Sequence, residues 1–126
     1  MIESGLKNTC RLTVDESNTA AAVGSGNLRV FATPAMIALM EETCAACAAP
    51  FLDEGCTTVG ISVNITHSSA TPVGMKVHCD CVLEKVDGRK LVFSVKAFDE
   101  RGLIGGGTHE RFIVFAEKFQ QKTDLK

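Results

Sequence analysis

Apolar and polar residues alternate along most of the second half of the chain, and that alternation predicts strands. Over residues 57–67, positions 59, 61, 63 and 65 are Val, Ile, Val and Ile, while 58, 62, 64 and 66 are Thr, Ser, Asn and Thr. A period of two sends the first set to one face and the second to the other. Met75, Val77, Cys79, Cys81 and Leu83 repeat the pattern against Lys76, His78, Asp80 and Glu84. Leu91, Phe93, Val95 and Ala97 do so again, and residues 103–115 supply a last strand. Thr71-Pro-Val-Gly74, Asp87-Gly88 and Asp99-Glu-Arg-Gly102 read as the turns between them. A first strand is expected within residues 6–14, residues 19–27 read as a small, flexible loop, and the charged tail from Glu117 is expected to fray.

A different pattern precedes these strands. Between Arg29 and Asp53 the only charged residues are Glu41 and Glu42. Thr33 is suited to an N-cap and Pro34 to the first helical position, so a helix is expected from there to about Ala48, stopped by Pro50. Its residues are apolar almost all round, which predicts a buried helix. Two carboxylates in such an element either open one helix face to solvent or place an acid or base in an enclosed site, because an unpaired buried charge costs several kcal/mol. One long helix with sequential antiparallel strands makes an α+β layer arrangement.

At 126 residues the chain is expected to form a single domain, residues 1–126. A formal net charge of −2 offers no basic face for nucleic acid. The polar opening Met1-Ile-Glu-Ser-Gly-Leu-Lys does not read as a secretory leader, and Pro34, Glu41, Glu42 and Pro50 interrupt the longest apolar stretch, so no membrane span and a cytoplasmic location are expected. Six cysteines without a leader read as reduced thiols. Cys44-Ala-Ala-Cys47 has redox spacing but lies more than ten residues into the helix, away from the N-terminal dipole that activates such pairs, and Cys79 and Cys81 read as core positions. The Cys and His spacings form no convincing metal site, and none is expected.

His67 has the parity of Val63 and Ile65, which points it to the helix-facing side, where a glutamate could meet it as an acid/base partner. Adjacent helical residues point about 100° apart, so only one of Glu41 and Glu42 can share that side. Thr33 and Glu41 are separated by roughly 12 Å of regular helix and cannot touch unless the segment bends or a dimer interface brings them together. Gly105-Gly-Gly107 lacks a following helix and reads as a bulge or close backbone approach, not as a dinucleotide fingerprint. Most of His109-Glu110-Arg111 is expected at the surface, and His78, on a polar face, is given no role.

Several blocks together carry a resemblance: Ala32-Thr-Pro34, Met40-Glu41-Glu42, Thr57-Thr-Val-Gly60, Val63 through His67, Ala70-Thr-Pro-Val-Gly74 and Gly107-Thr-His-Glu-Arg111. They resemble the hotdog-fold acyl-CoA thioesterases, in the branch of fluoroacetyl-CoA thioesterase. The resemblance implies a long helix wrapped by a curved antiparallel sheet of about five strands, a homodimer (or a tetramer of paired dimers) and an active site near the subunit interface. It implies hydrolysis of a small acyl-CoA thioester without a cofactor. Thr33, Glu41 and His67 align with the catalytic threonine, glutamate and histidine, so the resemblance selects Glu41 over Glu42. Gly60 aligns with the glycine whose backbone lies against the acyl thioester, and Arg111 with a late-strand arginine near the substrate. The resemblance departs at residues 19–27, which contain no aromatic residue where fluoroacetyl-specific members carry lid aromatics, so it does not extend to the acyl group. Two other readings are a hotdog hydratase acting on enoyl thioesters and a non-catalytic acyl-CoA binding protein.

Overall fold

In the computed structural model, which describes residues 2–126, five antiparallel strands form one sheet in the order β1-β3-β4-β5-β2. They are β1 (Lys7–Thr13), β2 (Cys56–His67), β3 (Lys76–Asp87), β4 (Lys90–Asp99) and β5 (Gly102–Phe115). The long helix α2 (Thr33–Ala48) packs on one face of this sheet, after a short helix α1 (Ala20–Val23), and α3 (Ala116–Asp124) ends the chain. This is the expected α+β arrangement. The alternating positions of β3 and β4 meet the helix: Val77, Cys79, Cys81, Leu83, Leu91, Phe93, Val95 and Ala97 are buried with Met36, Leu39, Met40, Cys44 and Cys47. Each large side chain so buried stabilises the fold by about 1.5–3 kcal/mol.

Three expectations about local structure change. Residues 19–27 are not all loop, because the Thr19 side chain accepts a hydrogen bond from Ala22 N and starts α1, which Gly24 ends in the left-handed region at φ 81°. Nor does the tail fray: residues 116–124 are helical, with Glu117 in the first turn and Lys122 in the last, each at the end its charge favours. Finally, α2 is not buried all round. Pro34, Ala38, Glu42 and Ala46, spaced by four, form an exposed stripe, and Glu42 points along it into solvent.

The alternation of β2 is also interrupted. Its pairing with β5 slips between Gly60 and Ser62, leaving Ile61 as an extra residue. A bulge of this kind reverses which parity faces the helix. Thr58 and Gly60 face α2 before it, and Val63, Ile65 and His67 face that side after it, so Val59 does not share the face of Val63 as the period-two reading expects. β2 is an edge strand, and Ile61 and Val63 remain 51% and 42% exposed.

Candidate functional site

Two clusters of polar side chains lie along α2, one at its N-terminus and one at its middle. At the N-terminus, Thr33 is the first helical residue and Ala32 the cap, so the expected capping role falls away. The Thr33 hydroxyl instead lies 2.7 Å from His67 Nδ1 at the end of β2. Burial holds the imidazole below its usual pKa, the nearby backbone at Ser69 opposing this in part. Its Nε2 is buried without a hydrogen-bond partner. Such an orphaned polar atom is costly in a folded protein and marks a place where a ligand group can bind. Thr33 and His67 border a cavity of about 230 Å³, which Phe31, Ser68, Ser69 and Ala70 also line. That is small beside the usual range for larger ligands. Larger open clefts of about 590 and 630 Å³ lie along β1, β3 and β4, away from these groups.

The second cluster centres on Glu41, two turns further along the helix. Its carboxylate lies against Gly60, where a Cβ atom would stand 2.5 Å from Oε2. Arg111 Nη1 is 3.5 Å from the same oxygen and His109 Nε2 is 3.9 Å from it. Glu41 is partly open to solvent (43% of its side chain), whereas His109 is only 1% exposed and Arg111 7%. The expectation that most of the His109-Glu110-Arg111 triplet is surface is therefore wrong for two of its three members. β5 pairs Gly105 with His67, Gly107 with Ile65 and Arg111 with Gly60, so its odd-numbered residues from Gly105 to Ile113 run along the helix-facing side. The polar character of the triplet hid this, yet its parity with Gly105 and Gly107 was a usable signal for His109, the residue our sequence reading missed. The three glycines mark close approach, as expected: side chains at 105 and 107 would collide with the backbone of β2.

Within this second cluster the hydrogen bonds fix His109 as a neutral imidazole. His109 Nδ1 lies 2.8 Å from the Ser62 carbonyl, which can only accept, so Nδ1 carries the hydrogen. Nε2 is then free to accept, and Arg111 Nη1 donates to it at 3.1 Å. Burial pushes the His109 pKa down, with the Ser62 hydrogen bond opposing and the Arg111 charge assisting. Arg111 Nε donates to Thr58 Oγ1 at 2.8 Å and Nη2 to the Thr58 carbonyl at 3.0 Å. Burial likewise lowers the Arg111 pKa, though not enough to deprotonate a guanidinium.

The structure thus brings Thr33 to His67, and Glu41 to Gly60 and Arg111, within one chain. The carboxylate that shares the helix-facing side of the sheet meets His109 and Arg111, and not His67. Among the described residues no group of His, Cys, Asp and Glu side chains is arranged to hold a metal ion. All six cysteines are free thiols. A hydrogen bond with Cys81, and then burial, raise the pKa of the Cys44 thiol, the same hydrogen bond lowers that of Cys81, and burial pushes Cys47 and Cys79 each up to about 12. No helix is long and apolar enough to cross a membrane.

Comparison with known proteins agrees with this architecture. A fluoroacetyl-CoA thioesterase from Streptantibioticus cattleyicolor is 42% identical over 97 residues, which cover 77% of this chain and 70% of that one. The solved structure of the fluoroacetyl-CoA thioesterase FlK matches with a TM-score of 0.93 at 34% identity, covering 100% of this chain and 98% of the other. TTHA0967 from Thermus thermophilus, a thioesterase superfamily member, matches with a TM-score of 0.91 at 28% identity over 99% and 93% of the two chains. The family model for the fluoroacetyl-CoA-specific thioesterase FlK matches residues 14–117, and the chain belongs to that hotdog-fold family.

Proposed function

We propose that the chain hydrolyses a short-chain acyl-CoA thioester to the free acid and CoA, with Thr33, Glu41 and His67 as the reacting groups. The observation that carries this reading is the Glu41 carboxylate, held against Gly60 with a guanidinium 3.5 Å behind it and its remaining surface open to a ligand. Glu41 delivers the attack on the thioester carbonyl, directly or through a water molecule. The new C–O bond forms, the C–S bond breaks and the leaving thiolate takes a proton. On the direct route a water molecule then cleaves the acyl–Glu41 anhydride, freeing the acid and restoring the carboxylate. His67 Nε2, unpartnered and adjoining the small cavity, is suited to donate to the developing oxyanion or the leaving sulfur, with Thr33 steering the ring through Nδ1. Gly60 lies where the acyl thioester would pass Glu41, and Arg111 serves the site through the carboxylate.

Within one chain the Thr33–His67 pair and Glu41 are too far apart along α2 for this chemistry, and a homodimer closes the gap. β2 has an open edge with Ile61 and Val63 exposed beside it. Antiparallel pairing of two β2 strands about an axis between Val63 and Asn64 would set Gly60 across from His67 of the partner subunit. Each of two equivalent sites would then take Glu41 from one chain and the Thr33–His67 pair from the other. The cavity of about 230 Å³ beside that pair suits a short acyl group. The test is release of free CoA from short, branched, aromatic and fluorinated acyl-CoAs, with Glu41→Gln and His67→Ala beside the native protein. Turnover on one class, abolished by both substitutions, supports the reading. Tight acyl-CoA binding without turnover returns the protein to the class of binding proteins.

A further inference from the structure

We infer that His109 is a positioning residue for this site: it holds Arg111 in the one orientation that presents Nη1 to the Glu41 carboxylate. The inference rests on the proposed role of Glu41. Three contacts surround the guanidinium besides Glu41, and His109 provides the one at the nitrogen that also faces the carboxylate. Nε and Nη2 are taken by the hydroxyl and carbonyl of Thr58, while Nη1 is shared between His109 Nε2 at 3.1 Å and Glu41 Oε2 at 3.5 Å. The imidazole is itself locked, because the Ser62 carbonyl next to the β2 bulge fixes its hydrogen on Nδ1. A neutral acceptor is what this position needs. A second carboxylate there would compete with Glu41 for the guanidinium, and a donor would push Arg111 out of line. As it stands, Glu41 is the sole anionic partner of Arg111 among the described residues.

Stability alone does not account for the cluster. Replacing buried ionic groups with well-packed apolar side chains is often neutral or stabilising, so a buried Arg with a tautomer-locked His beside it calls for another reason. The geometry supplies one, since both side chains converge on a single oxygen of Glu41. Misplacing an attacking group by about 1 Å can lower a rate by about a hundredfold.

The experiment compares steady-state CoA release by native protein, His109→Phe and His109→Gln, each as a single variant and in an Arg111→Met background, with the folded fraction measured by thermal melting. His109→Phe keeps an aromatic ring at the position and removes the acceptor. Its kcat is expected to fall about a hundredfold with KM little changed, and His109→Gln, whose amide oxygen can accept from Arg111, should recover much of the loss. In the Arg111→Met background, where Glu41 remains and residual turnover can be measured, the same change should have no further effect, because His109 acts through the guanidinium. A kcat for His109→Phe close to native, or an independent loss added to that of Arg111→Met, overturns the assignment. Should His109→Phe fail to fold, His109→Leu, which also lacks an acceptor for Arg111 Nη1, is expected to lower kcat in the same sense, and an unchanged kcat there also overturns it. Absence of turnover in the native protein removes the role proposed for Glu41, and this inference with it. Native turnover that is indifferent to position 109 removes this inference alone.

Discussion

A methyl group at Gly60 would stand 2.5 Å from Glu41 Oε2, so the carboxylate occupies the space any side chain at position 60 would need. The clash would fall on the far end of a flexible side chain, with the imidazole carbon of His109 and Arg111 Nη1 somewhat further away at 3.2 and 3.4 Å. Gly60→Ala should therefore keep the fold and move the carboxylate. We expect a melting temperature within a few degrees of native and kcat/KM reduced by about a hundredfold. Side-by-side calorimetry and CoA-release kinetics check this, and native activity would disconnect Glu41 from catalysis.

Glu41→Gln removes the counter-charge of a buried guanidinium as well as the attacking group. Breaking a fully buried pair costs several kcal/mol, but the Glu41 side chain is nearly half exposed, so we expect a loss on the order of 1–2 kcal/mol. Chemical denaturation would register it as a lower midpoint with an unchanged slope. Turnover should vanish while most of the protein remains folded at 25 °C.

Two histidines make stability sensitive to acid. Burial lowers the pKa of both His67 and His109 below the ordinary value of about 6.5, which the unfolded chain retains. Above that value neither state binds the proton and the full stabilisation is present. As the pH falls from there through the folded-state values, the unfolded chain protonates first and stability is lost. Urea midpoints should be flat from pH 7 to 8 and decline below about pH 6.5, and His109→Gln should flatten the decline.

A site shared between subunits predicts complementation. Thr33→Ala and Glu41→Gln homodimers should each be inactive, since every site lacks one partner. Mixed and reassembled, a heterodimer would contain one site with both groups intact, and activity should return. Failure of mixing to restore turnover, with heterodimers demonstrated by mass spectrometry, would place all reacting groups in one chain. Ile61→Asp, which puts a charge on the open edge of β2, should give monomers without turnover.

The thiols should be inert in the native state. Cys44, Cys47, Cys79 and Cys81 are buried, and only Cys10 and Cys56 are partly exposed. Burial raises the pKa of Cys47 and Cys79 to about 12, so few thiolates exist at those two positions near neutrality. Cys81, whose thiol pKa is lowered by its hydrogen bond with Cys44, is shielded by its burial. Titration with a thiol reagent should show slow reaction of at most two groups until denaturant exposes all six. Rapid labelling of Cys44 or Cys47 in native protein would contradict this.

The sequence by itself determined the layers. Alternation over β3 and β4, the change to a continuous apolar helix and the turn residues between strands are local properties of side chains and backbone, and they made the α+β architecture legible before any contact was known. The blocks around Thr33, Glu41, Gly60, His67 and Arg111 likewise carried the resemblance to one family, to which the chain belongs. Tertiary structure decided what depends on register. A single extra residue at Ile61 reverses the parity of β2, which no periodicity count over residues 57–67 reveals. Its pairing with β5 turns His109 and Arg111 inward beneath α2, although as residue types both belong at a surface. It also separates Glu41 from His67 within the chain, because helix rise and strand rise carry them to different points along the sheet. Which side chains share an element is written in the sequence; which ones meet across elements depends on strand pairing, and one bulge is enough to change it.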